Sequence, residues 1–414
     1  MKIQSLRGMP DLFPEDLERW HIFESKLANI FHSFDTHEIR TPLLESTELF
    51  SRSVGNSSDI VNKELYSFLD RNDESISLRP EGSASVIRAI IQKKQEHEKH
   101  KLWYQGPMFR YERPQKGRFR QFHQVGVEYL GYEEGIAEYE LISMVLQINK
   151  LIGISDYTIK INHLGDQDAK ESFCNSLTAF LKPHINELHE KDQARLKSNP
   201  LRVLDSKEKS TQELLKEGPK FQDFISNDSK IFLKNLVDAF SNHCDIQIDQ
   251  SLVRGLDYYT GIVFETVSEK LGAQDAFLGG GRYDNLSKQL GGKDMYAIGF
   301  AIGVERIIEL LNIENIKQPL KVGFIIVGEQ IDKKTYKIAD DLRSANNSII
   351  LDTFLSEGSL KSQLRRANKN NCGYAIIIGA EEIKNDQIIW KSLSESGEQE
   401  LLSLNEVIQK YTNL

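Results

Sequence analysis

Between residues 102 and 131 the side chains that could do chemistry recur at every second position: Arg110 and Glu112, then Arg118, Arg120, Phe122, Gln124, Gly126 and Glu128. Guanidinium groups pair with carboxylates and phosphates through a fixed fork of donors, and an aromatic ring can stack on a base. The amide and the carboxylate add an acceptor and a charge for orienting a smaller polar ligand. The set suits an anionic nucleotide.

The stretch itself, LWYQGPMFRYERPQKGRFRQFHQVGVEYLG, reads as two strands joined by a basic loop at residues 114–117. Side chains alternate faces along a strand. Phe109, Tyr111, Phe119, His123, Val125, Val127 and Tyr129 therefore line the opposite, core-facing side. A half-exposed hairpin with a solvated charged face would show the same alternation. Gly126, bare in mid-strand among polar neighbours, favours the ligand site, because such a glycine often admits a close approach.

The elements around the hairpin follow from periodicity. A helix is expected over 14–34, with Pro14 in its first turn, Glu15 and Asp16 at its positive end, and Leu17, Trp20, Leu27, Ile30, Phe31 and Phe34 at helical spacing. A short extended piece follows at 37–42, a hairpin at 65–78 turning at Asn72-Asp73, and a helix from Glu81 onward. Beyond the central hairpin come a helix over 138–151 and a strand over 157–161. From 166 to 242 the chain turns polar, helix-prone and poor in strand signals, and reads as a helical insertion. Strand signals return over 252–267, followed by a glycine cluster at 278–284 and an apolar strand running into a helix, AIGFAIGVERIIELL. A linker is expected at 315–319. Past it, VGFIIVG, SIILDTF and YAIIIGA alternate with helical stretches, which predicts a separate α/β domain with a parallel or mixed sheet covered on both faces.

Composition bounds the class. The chain has 414 residues, 39% of them hydrophobic and 27% charged, which exceeds one ordinary domain and is typical of a globular protein. No secretory signal and no membrane-length apolar run is visible. Cys174, Cys244 and Cys372 are scattered and form no CxxC pair, which argues against a disulfide framework or zinc site and fits a reducing, cytoplasmic setting. A net charge of −9 argues against indiscriminate nucleic-acid binding, yet RPQKGRFR and the group Lys361, Arg365, Arg366 and Lys369 leave local basic surfaces.

Taken in order, RGMPDLFPED, the helix leading into EIRTP, FRYERPQKGRFRQFHQ, LVRGLDYYTGIVFE, LGGGRYDNL and GFAIGVERII resemble the histidyl-tRNA synthetases, class II aminoacyl-tRNA synthetases of bacterial type. The resemblance spans essentially the whole chain. It implies an α/β (α+β) fold: an antiparallel-sheet catalytic core at 1–165 and 246–316, a helical insertion domain at 166–245, and a C-terminal α/β anticodon-binding domain at 320–414. It implies a homodimer built around EIRTP.

What the resemblance implies for the site is specific. ATP and Mg²⁺ would be used to activate L-histidine, which would then pass to the 3′ end of histidine tRNA. Arg110 and Arg254 would be catalytic, gripping the histidine carboxylate and the α-phosphate from opposite sides. Arg118 and Arg306 would bind the terminal phosphates, Phe122 would stack on adenine, and Glu112 would lie near its amino group. Glu81, Ser83 and Gln124 would accept from the histidine ammonium, while Glu128 and Tyr259, with Tyr258 beside it, would serve the imidazole. The family usually carries threonine where Ser83 stands; the hydroxyl is kept and a methyl is lost. Arg113 and Gln115 would meet the tRNA acceptor end, the insertion would clamp its stem, and no protein side chain is assigned to the metal. On local grounds the lesser alternative for Glu81 is a carboxylate at a helix N-terminus, favoured by the dipole. A non-catalytic, histidine-binding regulatory paralogue of histidine biosynthesis is the competing reading; it lacks the anticodon domain and usually departs at catalytic positions. A synthetase for another amino acid conflicts with RGLDYYTG and Glu128.

Overall fold

The computed structural model describes residues 3–55, 58, 60–272, 276–311, 320–328, 333–353, 358–394 and 397–414. The chain forms two compact units, Met1–Glu314 and Asn315–Leu414. The linker expected at 315–319 lies outside the described residues.

The first unit opens with helix α1 (Pro14–Ser33), which buries Trp20, Phe23, Leu27 and Phe31 along one stripe. Strand β1 (His37–Glu38) follows, then β2 (Leu44–Ser46), α2 (Thr47–Val54), β3 (Ser67–Leu69), β4 (Ser75–Leu78) and α3 (Ser83–Lys93). The central hairpin is β5 (His100–Phe109) and β6 (Gln121–Leu130). Next come α4 (Ile136–Ile152) and β7 (Thr158–His163). The helices α5 (Gln167–Leu181), α6 (Glu190–Ser198), α7 (Lys209–Glu217) and α8 (Asn227–Phe240) then run in succession before β8 (Asp245–Ile248). The unit closes with β9 (Thr260–Val267), β10 (Ala276–Arg282), α9 (Leu286–Gln289), β11 (Ala297–Gly303) and α10 (Val304–Leu310).

Eight strands form one sheet in the order β1-β5-β6-β11-β10-β9-β7-β8, antiparallel except for the two edge pairs β1/β5 and β7/β8. A smaller antiparallel sheet orders β2-β4-β3. Buried Arg79, just past β4, ties the two regions together: its Nε donates to the Pro107 carbonyl at 3.1 Å and its Nη1 to Thr41 Oγ1 at 2.9 Å. The run α5–α8 contains a small core of its own, with Phe173 stacked on Phe221 at 3.8 Å. That core is continuous with the apolar cluster under the main sheet.

Two local expectations are corrected. The ladder of the central hairpin stops at Phe109 opposite Gln121, so its connection runs over 110–120 rather than 114–117. Arg110 N still donates to Arg120 O, but Glu112 N turns back to Arg110 O and Arg120 N is taken by Gly8 O at 2.7 Å. Tyr111, expected on the core side, is 52% exposed and stacks under the Arg120 guanidinium at 3.9 Å. The strand expected over 252–267 exists only as β9. In the residues before it the carbonyls go to side chains instead of a neighbouring strand: Asn162 donates to Leu252 O, Arg202 to Gly255 O, and Lys170 to Asp257 O and Tyr259 O.

The second unit has a mixed five-stranded sheet ordered β13-β12-β14-β15-β16. Its elements are β12 (Lys321–Val327), α11 (Lys333–Ala345), β13 (Ile350–Thr353), α12 (Leu360–Lys369), β14 (Tyr374–Gly379), α13 (Ala380–Lys384), β15 (Gln387–Ser392), β16 (Gln399–Ser403) and α14 (Leu404–Thr412). The first three strands are parallel and the last two antiparallel. Ile376 and Ile378 pack on one face and Ala375 and Ile377 on the other, so alternate residues of a continuous apolar strand feed two cores.

One ion pair fastens the helical layer to the main sheet. Arg282 at the end of β10 donates to Glu138 of α4, to the Tyr132 carbonyl at 3.0 Å and to Asp284 at 3.1 Å, and both Arg282 and Glu138 are almost wholly buried. Removing one partner strands a desolvated charge, at a cost of about 3–5 kcal/mol. Arg282→Met should therefore lower the urea midpoint of the first unit sharply, whereas a change at exposed Lys288, in a surface pair with Asp294, should leave it nearly unmoved.

Candidate active site

The parity of β6 directs Phe122 and Gln124 into one cavity of about 240 Å³. Its wall also contains Glu81, Ser83, Arg110, Glu112, Arg118, Arg254, Tyr258, Tyr259 and Arg306. Glu128 lies beneath that wall, 1% exposed, and is reached through Ser83 and Tyr283. Arg113 and Gln115 stay outside, exposed on the 110–120 connection.

Each cation is held by a particular partner. Arg110 donates its Nε to the Pro80 carbonyl at 2.9 Å and lies against the Phe122 ring at 5.2 Å. Arg118 pairs with Glu112 at 2.7 Å. Arg306, at the start of α10, donates to the carbonyls of Gly117 and Ala276. Arg254 donates Nη1 to Glu265 of β9 at 2.9 Å, and its Nε is buried without a partner among the described residues. The Gln124 Oε1 is likewise buried and unpaired. Such orphaned groups in a concave pocket are what a polar ligand would satisfy.

The floor is built by small residues. A Cβ on Gly279 would lie 2.0 Å from an Arg254 nitrogen, and one on Gly126 would lie 2.3 Å from the Tyr104 ring. Gly126 therefore makes room for a protein side chain, Tyr104 across the strand pair, and not directly for a ligand. This corrects the reading of its bareness.

The polar end of the pocket is desolvated. Glu81 accepts from the backbone N–H of Ser83 at 2.6 Å and of Ala84 at 2.9 Å, so it caps α3 as well as facing the cavity. Burial raises its pKa. The Ser83 hydroxyl donates to Glu128 at 2.5 Å, and a hydroxyl keeps acceptor capacity when it donates. Burial pushes Glu128 up to about 8, against the lowering pull of its bonds from Ser83 and Tyr283. A strand over 252–267 would turn the consecutive Tyr258 and Tyr259 to opposite faces, but they sit in an irregular segment and both line the cavity, ring centroids 4.8 Å apart. Tyr104, Tyr283 and Glu305 also line it and were not singled out from sequence. Tyr283, next to the glycine cluster, was the most findable. Glu305 accepts from His123 N at 2.8 Å and fixes the start of α10 to β6.

An antiparallel sheet with an arginine at a hairpin end, a second at the head of the helix after the last sheet strand, and a separate mixed α/β unit defines a class II aminoacyl-tRNA synthetase. The profile for histidyl-tRNA synthetase matches residues 8–307, and that for the anticodon binding domain matches 321–414. The chain belongs to the histidyl-tRNA synthetase family. It is 41% identical over 416 residues to a histidine–tRNA ligase of Francisella philomiragia, covering 98% of each chain. Among solved structures it is similar to apo histidyl-tRNA synthetase of S. aureus, with 31% identity, a TM-score of 0.81, and 99% and 100% of the two chains covered. A Bacillus halodurans protein described as an ATP phosphoribosyltransferase regulatory subunit/histidyl-tRNA synthetase shares the fold alone, at 20% identity and a TM-score of 0.65 over 92% of this chain and 99% of that one.

The raised carboxyl of Glu128 has a thermodynamic consequence. Between pH 4.5 and about 8 the folded chain holds a proton there that the unfolded chain has released. Stability from this group is thus full below the unfolded value and is lost as pH rises through that window. The melting temperature of Glu128→Gln relative to the parent should improve steadily from pH 5 to pH 8 in the absence of ligand; a constant difference would show that Glu128 does not titrate there.

Proposed function

We propose that this chain is a histidine–tRNA ligase whose activation step is carried by Arg110 and Arg254 acting across one cavity. The carrying observation is the convergence of these two arginines, with Arg118 and Arg306, on a pocket whose far end is a buried carboxyl fitted with hydroxyl donors. Two anions must meet there. The histidine carboxylate oxygen forms a bond to the α-phosphorus of ATP, the bond from that phosphorus to the β-phosphate bridge breaks, and pyrophosphate leaves. Fixed cations positioned before the reaction stabilise the extra charge without reorganising solvent.

The remaining roles follow from chemistry and position. Glu81, the lone pairs of Ser83 and the orphaned Gln124 Oε1 are acceptors for the ammonium. Glu128 and the tyrosines, Tyr259 foremost and Tyr258 beside it, suit an imidazole, which brings one donor and one acceptor when neutral. A site that pairs both rejects an apolar analogue strongly, because its own buried groups would go unpaired. Phe122 offers a face for adenine, Glu112 an acceptor near its amino group, and Arg118 and Arg306 hold the terminal phosphates. Mg²⁺ would neutralise the phosphates when bound; among the described residues no group of three metal-ligating side chains converges, and the oxygen donors of Glu112 and Glu305 on the cavity wall fit a hard cation shared with ATP.

In the second step a hydroxyl of the tRNA's terminal ribose attacks the adenylate carbonyl and AMP leaves, with the substrate phosphate as the proton acceptor. Arg113 and Gln115, exposed on the 110–120 connection, would meet the acceptor end, the α5–α8 helices would clamp its stem, and the second unit, with basic α12, would bind the anticodon. Leu44, Phe68 and Leu69, each more than 40% exposed on the small sheet, support a homodimer. No helix among the described residues is long and apolar enough to cross a membrane, and three free cysteines support a cytoplasmic setting.

Histidine-dependent ATP–pyrophosphate exchange tests the reading; exchange with another amino acid, or none from folded protein, would overturn it. Arg254→His should keep histidine binding and lose exchange by roughly 10²–10³-fold, the usual effect of removing one preorganised donor. Gln115→Ala should slow charging of histidine tRNA while sparing exchange; equal loss in both assays would remove it from the tRNA contact.

A further inference from the structure

The segment from Arg254 to Tyr259 brings a cation and two phenols into the cavity, yet among the described residues no strand pairs with it. Its backbone is held by side chains from the helical insertion. Lys170 of α5 donates Nζ to Asp257 O at 2.7 Å and to Tyr259 O at 3.1 Å. Asn199, just after α6, donates Nδ2 to Asp257 Oδ1 at 2.8 Å. Arg202 donates to the Gly255 carbonyl and lies 3.6 Å from the Asp257 carboxylate. On the far side Gly55, at the end of α2, is so close that a Cβ there would stand 2.7 Å from Asp257 Oδ2. The segment is therefore clasped between two elements, with Asp257 as the joint.

These groups are poorly suited to an RNA backbone. Burial lowers the Lys170 pKa, with Asp257 pulling the other way, and its ammonium already serves two carbonyls. A buried carbonyl left without a donor costs free energy, so the segment's position depends on this side chain.

We infer that Lys170, Asn199 and Arg202 are positioning residues for histidine activation: through Asp257 and its flanking carbonyls they set where Arg254, Tyr258 and Tyr259 meet the substrate. The inference rests on the ligase reading. It gives the insertion a task in the first chemical step, with no tRNA present. A 1 Å displacement of a reacting group is enough to cost about 10²-fold in rate.

The test is tRNA-free pyrophosphate exchange together with the Kd for histidine. Lys170→Met, Asn199→Ala and Arg202→Met should each lower kcat/KM for histidine at least tenfold while KM for ATP stays within twofold. Lys170→Arg, which keeps a donor, should recover most of the loss. Thr211→Val serves as the structural control: it removes a 2.9 Å bond to Asp192 inside the insertion, so it should lower Tm and leave both constants alone. The inference is overturned if Lys170→Met and Arg202→Met stay within twofold of the parent, or if Thr211→Val impairs histidine use as much as they do. If the parent chain binds histidine but does not exchange, the ligase reading falls, while the Kd ratios still decide the positioning claim.

Discussion

The active site depends on a volume constraint in the centre of the large sheet. One row across four neighbouring strands reads Gly279, Ala301, Gly126 and Tyr104, and Glu265 extends it on the next strand. The middle of the row must be small because larger side chains already fill the space above it: the Arg254 guanidinium, from outside the row, over Gly279, and the ring of Tyr104, at the row's end, over Gly126. Gly299 does the same for the Glu128 carboxylate, whose Oε2 would stand 1.9 Å from a Cβ there. In a sheet, where successive residues alternate faces, one methyl group in this row displaces a functional group rather than a solvent molecule. Cation, ring and carboxyl are thus positioned by what the strands omit.

That floor also sets the electrostatics. Glu81 and Glu128 are both 3% exposed or less, and burial pushes both carboxyls upward. Two buried carboxyls are tolerable only with donors. Glu81 has two backbone N–H groups at the head of α3, and Glu128 has the hydroxyls of Ser83 and Tyr283. Glu81 is a helix-terminal carboxylate that also borders the cavity. Ser83 links the two, its N–H on one carboxyl and its O–H on the other.

Much of this was legible along the chain, for identifiable reasons. Alternation over 122–128 fixed which face of β6 carries Phe122, Gln124 and Glu128, because a strand has only two faces. The mixed sheet of the second unit was readable from three apolar runs separated by helical stretches. The alternation misled where the ladder stops: Tyr111 lies beyond Phe109 and stacks under Arg120 at the surface. The segment before β9 misled more deeply. Its apolar and aromatic residues carry strand propensity, but its carbonyls are satisfied by Asn162, Lys170 and Arg202, which lie 53–90 residues away in sequence. No local pattern reports a hydrogen-bond partner at that separation. Tyr104 escaped for a related reason, since its meaning lies in a glycine on the neighbouring strand.

The two central arginines are held by unlike means. Arg110 follows directly on the last paired residue of β5, keeps a backbone bond to Arg120, and anchors its Nε on the carbonyl of Pro80, two residues past β4. Its position is inherited from the sheet. Arg254 sits on an irregular segment, tied to the sheet by one carboxylate, Glu265, and otherwise located by the insertion. If the two arginines act on the same pair of anions, as proposed, this inequality divides the task between the sheet and the insertion. On the proposed reading the sheet-borne arginine would supply one side of the grip, and the other side would be set by the clasp the insertion makes on Asp257. Gly279 fits that division, because a bare backbone beneath Arg254 fixes the height of the guanidinium while leaving its lateral position to the partners around it.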